Sequence, residues 1–262
     1  MQQELRDEII DLLKQEKYTE AKELVCKNRP RSLYKYRAGN EWDISALKTG
    51  KIWVSRASFL DDDEDGRVHL EDANEILSIL DSIAVLEEKF KNPKYKRAVN
   101  TVFEDSKMNS AVCSLSEISD NEFMWENYAN NAQGFCLEYD FEKLCKKIQG
   151  CLMPMPRVIP VSYSAKRPMK IEEFSNKMQP IVMGLYSKDR IGPNGEKWYE
   201  QEEWRIAGYT KTFGIGESDK GVLIDVPMPE RIIFGENASD ALKAEIQSWI
   251  KQEELKVQLE YR

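Results

Sequence analysis

Three predicted strands carry, at or near one end, side chains that could do chemistry together. Glu203 alternates with Arg205 on a late strand, Arg37 ends the first strand, and Ser55 ends the second. A carboxylate can stabilise a cationic transition state and accept a proton. An arginine can hold a phosphate or carboxylate through paired hydrogen bonds, and a serine can bind a hydroxyl group. We therefore predict Glu203, Arg37 and Ser55 as the catalytic residues.

Each of these residues also has an ordinary structural explanation. Glu203 could form an ion pair with Arg205 or Lys188, and Arg37 could pair with a nearby acid. Ser55 could be a strand-end serine without a role, because no histidine base is near it in the sequence. Glu202, whose side chain would point to the opposite face of the strand, is the second choice for the catalytic acid.

Aromatic side chains could form the walls of a ligand pocket. Trp125 and Tyr128 are three residues apart, and so share one face of a helix predicted over residues 120–130. Their rings could stack on a base or simply fill the core. Together with Tyr36 and Arg37 they are the predicted binding residues for a nucleotide-like small molecule.

Several kinds of site are excluded or weakly supported. The only histidine is His69, and none of the five cysteines belongs to a CxxC pair. Two-histidine metal chemistry, a structural zinc site and a disulfide framework are therefore not expected. The acidic loop at residues 61–65 has oxygens for Mg²⁺ or Ca²⁺ but lacks EF-hand spacing, so we interpret it as a solvated charge run with Asp61 the residue to test.

The order of predicted elements favours an α+β fold. Residues 1–30 are predicted to form an N-terminal helical hairpin, and residues 31–262 a single domain. The strands are predicted at residues 32–37, 51–55, 111–116, 134–139, 157–164, 203–209, 221–226, 231–234 and 255–261. Helices interrupt them without regular βαβ spacing, and no glycine-rich phosphate loop is present. We expect a mixed, largely antiparallel sheet with flanking helices.

Composition limits the partners. The net charge is −8, which argues against duplex nucleic acid as a ligand. No apolar run approaches the roughly 20 residues that span a bilayer, and the N-terminus does not have the pattern of a secretory signal. The cysteine pattern fits a reducing compartment, so we expect a cytoplasmic protein. The hairpin at residues 1–30 could dock on the domain or bind a protein partner.

Five segments in a fixed order resemble a known protein family. They are residues 33–37 (LYKYR), 52–55 (IWVS) leading to 59–61 (FLD), 123–129 (FMWENYA), 134–140 (GFCLEYD), and 188–206, which ends in EEWRI. Their order and spacing resemble the domain-of-unknown-function family 2971, from about residue 31 to the helix after residues 232–235. This family implies no established activity.

The layout is also similar, more distantly, to the ADP-ribosyltransferase superfamily. In that superfamily an arginine strand, a serine strand and a late glutamate strand meet around the nicotinamide ribose of NAD, here Arg37, Ser55 and Glu203. The resemblance implies an ADP-ribosyltransferase or NAD glycohydrolase with an ADP-ribosyltransferase-like split sheet. It implies NAD as substrate, no metal, and a setting in phage defence or toxin-like growth arrest.

Two other functions remain open at this point. A non-catalytic sensor or partner-binding protein fits the N-terminal hairpin and the departure of residues 59–63 from the loop usual in the family. A metal-dependent phosphoesterase would use Asp61, Asp62 or Asp63 with a distant glutamate. NAD turnover, a stoichiometric partner, and stabilisation by divalent ions would separate the three hypotheses.

Overall fold

Helices and strands alternate irregularly along the chain. The computed structural model describes residues 1–60, 109–148, 157–163, 178–192 and 194–262. Its helices are α1 (Gln3–Lys14), α2 (Tyr18–Asn28), α3 (Glu41–Lys48), α4 (Glu122–Tyr128), α5 (Phe141–Ile148), α6 (Met178–Tyr186), α7 (Thr210–Phe213) and α8 (Asp240–Gln252). Its strands are β1 (Ser32–Arg37), β2 (Lys51–Arg56), β3 (Ser110–Ser116), β4 (Phe135–Asp140), β5 (Val158–Pro160), β6 (Glu203–Tyr209), β7 (Gly221–Asp225), β8 (Arg231–Phe234) and β9 (Gln258–Tyr261).

The strands form one open, mostly antiparallel sheet. Its order is β5-β6-β3-β1-β4-β8-β9, and β2 pairs with both β3 and β7. Among the strands of the described ranges only β8 and β9 pair in parallel, and an isolated parallel bridge joins Ser162 to Ser187. The α+β class and the mixed, largely antiparallel sheet are therefore confirmed. No helix in these ranges is long and apolar enough to cross a bilayer.

Strand pairing is longest on the two sides of an opening between β1 and β3. β3 pairs with β6 from Ser110 to Ser116, and β1 pairs with β4 from Ser32 to Arg37. Between β1 and β3 the register holds at one position, where Tyr34 lies opposite Ser116. The two strands therefore part beyond that point. This opening determines where the site lies.

The N-terminal hairpin is present as predicted, and it packs on the sheet. Ile9, Ile10 and Leu13 of α1 are buried in the same cluster as Leu33 of β1 and Trp204 of β6. The apolar positions of α1 recur at helical spacing, so one face of the helix is buried against the domain. The hairpin thus docks on the domain rather than standing apart from it.

Local boundaries depart from the sequence prediction in small ways. The sequence predicts Asp43 as the cap of a short helix over residues 44–48, but the cap is Asn40, whose side chain accepts a hydrogen bond from the Asp43 backbone N–H. An N-cap residue precedes the first turn of its helix, and α3 begins at Glu41, before the apolar residues that indicated it. The sequence also predicts Ser239 as the cap of α8, and the structure confirms it. The acidic loop, His69 and a helix that the sequence predicts over residues 69–108 lie outside the described residues.

Candidate functional site

A cavity of about 180 Å³ lies where β1 and β3 part. The strands contribute Tyr34, Lys35 and Tyr36 from β1, and Ser114 and Leu115 from β3. The remaining lining residues are Leu60, Met124, Tyr128, Lys188, Trp198, Gln201 and Glu203. Because elements distant in sequence meet here, the cavity combines aromatic rings with charged groups of both signs. Of the predicted site residues, Glu203, Tyr36 and Tyr128 line it.

Glu203 is a buried carboxylate held by an arginine two residues along the same strand. Arg205 Nε donates to Glu203 Oε1 at 2.7 Å, and a terminal nitrogen of Arg205 donates to Oε2 at 3.2 Å. The side chain of Arg205 is fully buried and that of Glu203 is 5% exposed. A carboxylate has about four lone-pair sites, so this fork leaves acceptor capacity on both oxygens. The fork fixes the orientation of the carboxylate.

A second cation stands beside this pair. Lys188 Nζ lies 3.9 Å from Glu203 Oε2 and 4.5 Å from the centroid of the Trp198 ring. An ammonium over a tryptophan face is attracted by the ring quadrupole. Lys188 is thus held between a carboxylate and an indole at the cavity wall.

Lys35 brings a third basic group to the cavity from the opposite strand. By alternation it belongs to the core-facing side of β1, with Leu33, yet its ammonium donates to the backbone oxygen of Ser114 at 2.6 Å. That bond bridges the two strands where their own pairing has ended. Burial lowers the pKa of Lys35, against a smaller raising effect of Cys113 and Glu203.

The aromatic residues form two layers. The Tyr36 hydroxyl donates to the Ile118 carbonyl at 3.0 Å, and its burial raises its pKa. Trp125 packs edge-on against Tyr36 with ring centroids 5.1 Å apart, and its Nε1 donates to the Ser119 carbonyl at 3.0 Å. Trp125 is buried behind the cavity wall rather than lining it. It therefore supports Tyr36 instead of facing a ligand.

Tyr128 differs from Trp125 because it stands at the rim. Its side chain is 46% exposed, and its hydroxyl accepts a hydrogen bond from Gln201 Nε2 at 3.3 Å. A partly exposed ring that lines a cavity is well placed to cover a planar ligand group.

The structure does not bring Arg37 or Ser55 into the cavity lining. Arg37 forms an ion pair with Asp43 of α3, with 3.6 Å between the guanidinium and carboxylate atoms. Ser55 Oγ donates to the carbonyl of Arg56, and its backbone lies opposite Val112 and Gly221 in the sheet. Of the three predicted catalytic residues, Glu203 alone is among the residues that line this cavity.

Metal chemistry finds no support in the described ranges. Across them, no group of three or more histidine, cysteine, aspartate or glutamate side chains could hold an ion. Asp61, Asp62 and Asp63 lie outside these ranges, so the phosphoesterase hypothesis stays a prediction.

Sequence reasoning missed Lys35, Trp198 and Gln201 as cavity residues. Lys35 gave a signal: a lysine lies between two tyrosines inside a predicted strand, and a buried lysine is rare unless its amine has a partner. Trp198 and Gln201 lie in a short 3-10 helix (Trp198–Gln201) that no periodicity marks. Their place in the site depends on the tertiary fold.

Comparison with known proteins gives one match. Residues 124–206 match a family described as "Protein of unknown function (DUF2971)". The matched range begins on α4 and ends on β6, so it includes Tyr128, Lys188 and Glu203. No curated protein and no solved structure shows significant similarity to the chain.

Proposed function

We propose that this protein is an enzyme that cleaves the nicotinamide–ribose bond of NAD, releasing ADP-ribose or transferring it to an acceptor. The observation that carries the proposal is the convergence of an oriented carboxylate, two lysines and several aromatic rings on one cavity. Glu203, Lys35 and Lys188 supply the charges, and Tyr36 and Tyr128 supply the rings. Such a combination suits a ligand with a planar ring, a sugar and phosphates.

The cavity would take one end of the dinucleotide. Its volume of about 180 Å³ is below the roughly 300–1,000 Å³ usual for pockets that enclose whole ligands. The nicotinamide ribose would enter, with Tyr128 covering the ring at the rim. The phosphates would lie at the opening, where Lys35 or Lys188 provides the cation that the sequence assigned to Arg37.

Glu203 would act on the bond that breaks. As the bond from ribose C1′ to nicotinamide nitrogen breaks, its electron pair leaves with nicotinamide and positive charge develops on the ribose. A carboxylate next to that charge stabilises the transition state. Water or an acceptor hydroxyl then attacks C1′ and gives its proton to Glu203. Arg205 would keep the carboxylate aimed at that carbon.

A second function is favoured by the same ion pair. A glutamate that is already forked by an arginine and approached by Lys188 has the contacts of a structural pair. A protein with these contacts would bind a nucleotide without cleaving it and act as a sensor. We place either activity in the cytoplasm, with defence against phage or toxin-like growth arrest as the setting.

The deciding experiment is incubation with NAD, alone and with cell lysate as a source of acceptors, followed by quantification of nicotinamide. We expect release by the wild type and a loss of at least 100-fold in Glu203→Gln. The matched control is Glu138→Gln, because Glu138 is also a strand glutamate held by an arginine, with Arg231 Nε at 2.7 Å, but does not line the cavity.

The outcomes separate the two candidates. Release that falls in Glu203→Gln and persists in Glu138→Gln supports the enzyme. Saturable NAD binding without release supports the sensor. Neither binding nor release would refute both.

A further inference from the structure

Arg6 of the N-terminal hairpin reaches across the domain to the start of β6. Its side chain is 1% exposed. One terminal nitrogen donates to the carbonyls of Val161 and Glu203, at 3.0 and 2.9 Å. The other donates to Glu117 Oε2 at 3.0 Å and Glu202 Oε2 at 2.5 Å. One guanidinium therefore joins the hairpin to three separate segments, including the backbone of Glu203.

Arg6 acts where the chain is under conformational strain. Glu202 has φ of 43°, in the left-handed region that residues other than glycine, asparagine and aspartate rarely adopt. Its backbone bonds continue the turn, because its N–H donates to Tyr199 and its carbonyl accepts from Glu117. Such a conformation persists only where surrounding contacts hold it. The Arg6 contact to the Glu202 carboxylate is one of these.

This strained residue joins two parts of the cavity wall. Trp198 and Gln201 lie in the 3-10 helix just before Glu202, and Glu203 begins β6 just after it. All three line the cavity. A change of backbone angle at Glu202 would therefore swing the Glu203 carboxylate relative to the Trp198 and Gln201 side chains.

We propose that Arg6 is a positioning residue for Glu203, so that the docked position of the N-terminal hairpin controls the cavity. The control of catalysis rests on the proposed NAD chemistry, whereas the control of cavity geometry does not. A shift of α1 would withdraw the donors from the Glu202 and Glu203 junction while leaving the sheet paired. Anything that binds or displaces the hairpin would then change the activity of a site that it does not touch.

The experiment compares Arg6→Lys with a core variant outside the hairpin. Arg6→Lys keeps the positive charge but cannot reproduce the planar fork. Ile246→Ala removes a buried side chain from α8, which belongs neither to the hairpin nor to the cavity lining, so it lowers stability without removing a contact of Arg6. Both are compared at a temperature where circular dichroism shows them folded.

Two readouts are recorded. Hydrogen exchange of peptides covering residues 197–206 should rise at least tenfold in Arg6→Lys and less than twofold in Ile246→Ala. The kcat for NAD cleavage should fall at least tenfold in Arg6→Lys with KM changed less than threefold. Adding Glu202→Gly to Arg6→Lys should restore part of the loss, because glycine adopts the left-handed conformation without support.

The two proposals can fail separately. Equal exchange in both variants would overturn the role of Arg6 whatever the reaction is, and in an active enzyme a failure of Glu202→Gly to rescue kcat would overturn it too. Raised exchange at residues 197–206 in Arg6→Lys, with a wild-type protein that neither binds nor cleaves NAD, would overturn the NAD function and leave the positioning role standing.

Discussion

Lys35 and Arg37 lie two residues apart on the same face of β1, but their surroundings differ. The Lys35 ammonium crosses the opening between β1 and β3, donates to the Ser114 carbonyl and lines the cavity. Arg37 is the last residue of β1, and its guanidinium pairs with Asp43 of α3. Asp43 also accepts a hydrogen bond from the Gly39 N–H, so the pair is built into the turn.

The comparison teaches that strand alternation selects a face but not a partner. Both cations were equally available in the sequence, and arginine is the better residue for a bidentate anion. The neighbouring elements decide which one is usable. At Lys35 the pairing of β1 with β3 has ended, whereas at Arg37 the helix α3 supplies the carboxylate of Asp43. The cavity is therefore lined by Lys35 and not by Arg37.

The largest expected difference is in the free energy of unfolding, between variants of the Glu203–Arg205 pair and of the Arg37–Asp43 pair. Arg205→Met removes the fork from a buried Glu203, so it should lower the free energy of unfolding by about 3–5 kcal/mol. Arg37→Met breaks a longer, partly exposed pair and should cost no more than about 1 kcal/mol. Urea unfolding of the two variants gives both values. Similar losses in the free energy of unfolding would contradict the larger contribution assigned to the Glu203–Arg205 pair.

The next largest difference should be in ligand affinity, between variants of Lys35 and of Arg37. Lys35→Met should weaken ADP-ribose binding by about 10–100-fold, since a charge-assisted contact to phosphate is worth about 1.5–3 kcal/mol. Arg37→Met should change the affinity less than twofold. Titration calorimetry measures both. The reverse ranking would return the phosphate site to Arg37.

A smaller effect is expected at the cavity rim. In the Glu203→Gln background, Tyr128→Ala should weaken NAD binding about fivefold. The reason is that one aromatic stack contributes about 1 kcal/mol. The control is Trp53→Ala, which removes another exposed ring, 41% accessible, from β2 outside the cavity. Equal losses in both variants would show that Tyr128 does not contact the ring.

The smallest effect is a dependence of stability on pH. Burial lowers the folded-state pKa of Lys35 below its ordinary value of 10.5. Between these two pKa values the unfolded chain binds the extra proton, so wild-type stability rises with pH there. Lys35→Met lacks this titration, so the stability of the wild type relative to this variant should increase as pH rises toward 10.5. Urea unfolding at pH 7, 8.5 and 10 tests the trend, and a constant difference would contradict it.

Much of the fold was readable from local patterns. The hairpin, the alternation of Phe135, Leu137 and Tyr139, and the bounds of β6 and β8 follow from period and propensity. These features depend on residues close in sequence, and the structure confirms them. The pairing of β3 with β6 could not be read in this way, because register between strands distant in sequence leaves no local pattern.

The site was predictable only in part, for the same reason. Glu203 and Tyr36 could be chosen by residue type and strand position. The Arg37–Asp43 pair and the Lys35 contact with Ser114 depend on how α3 and β3 sit beside β1. Arg6 was indistinguishable from any helix arginine until its acceptors at Glu117, Glu202 and Glu203 were placed.

The most direct test of the central claim is a crystal structure of Glu203→Gln grown with NAD. The account predicts density for the nicotinamide ribose in the opening between β1 and β3, with a ribose hydroxyl within about 3 Å of residue 203 and a phosphate near Lys35 or Lys188. Density for NAD against Arg37, or an ordered NAD elsewhere with this cavity empty, would contradict it.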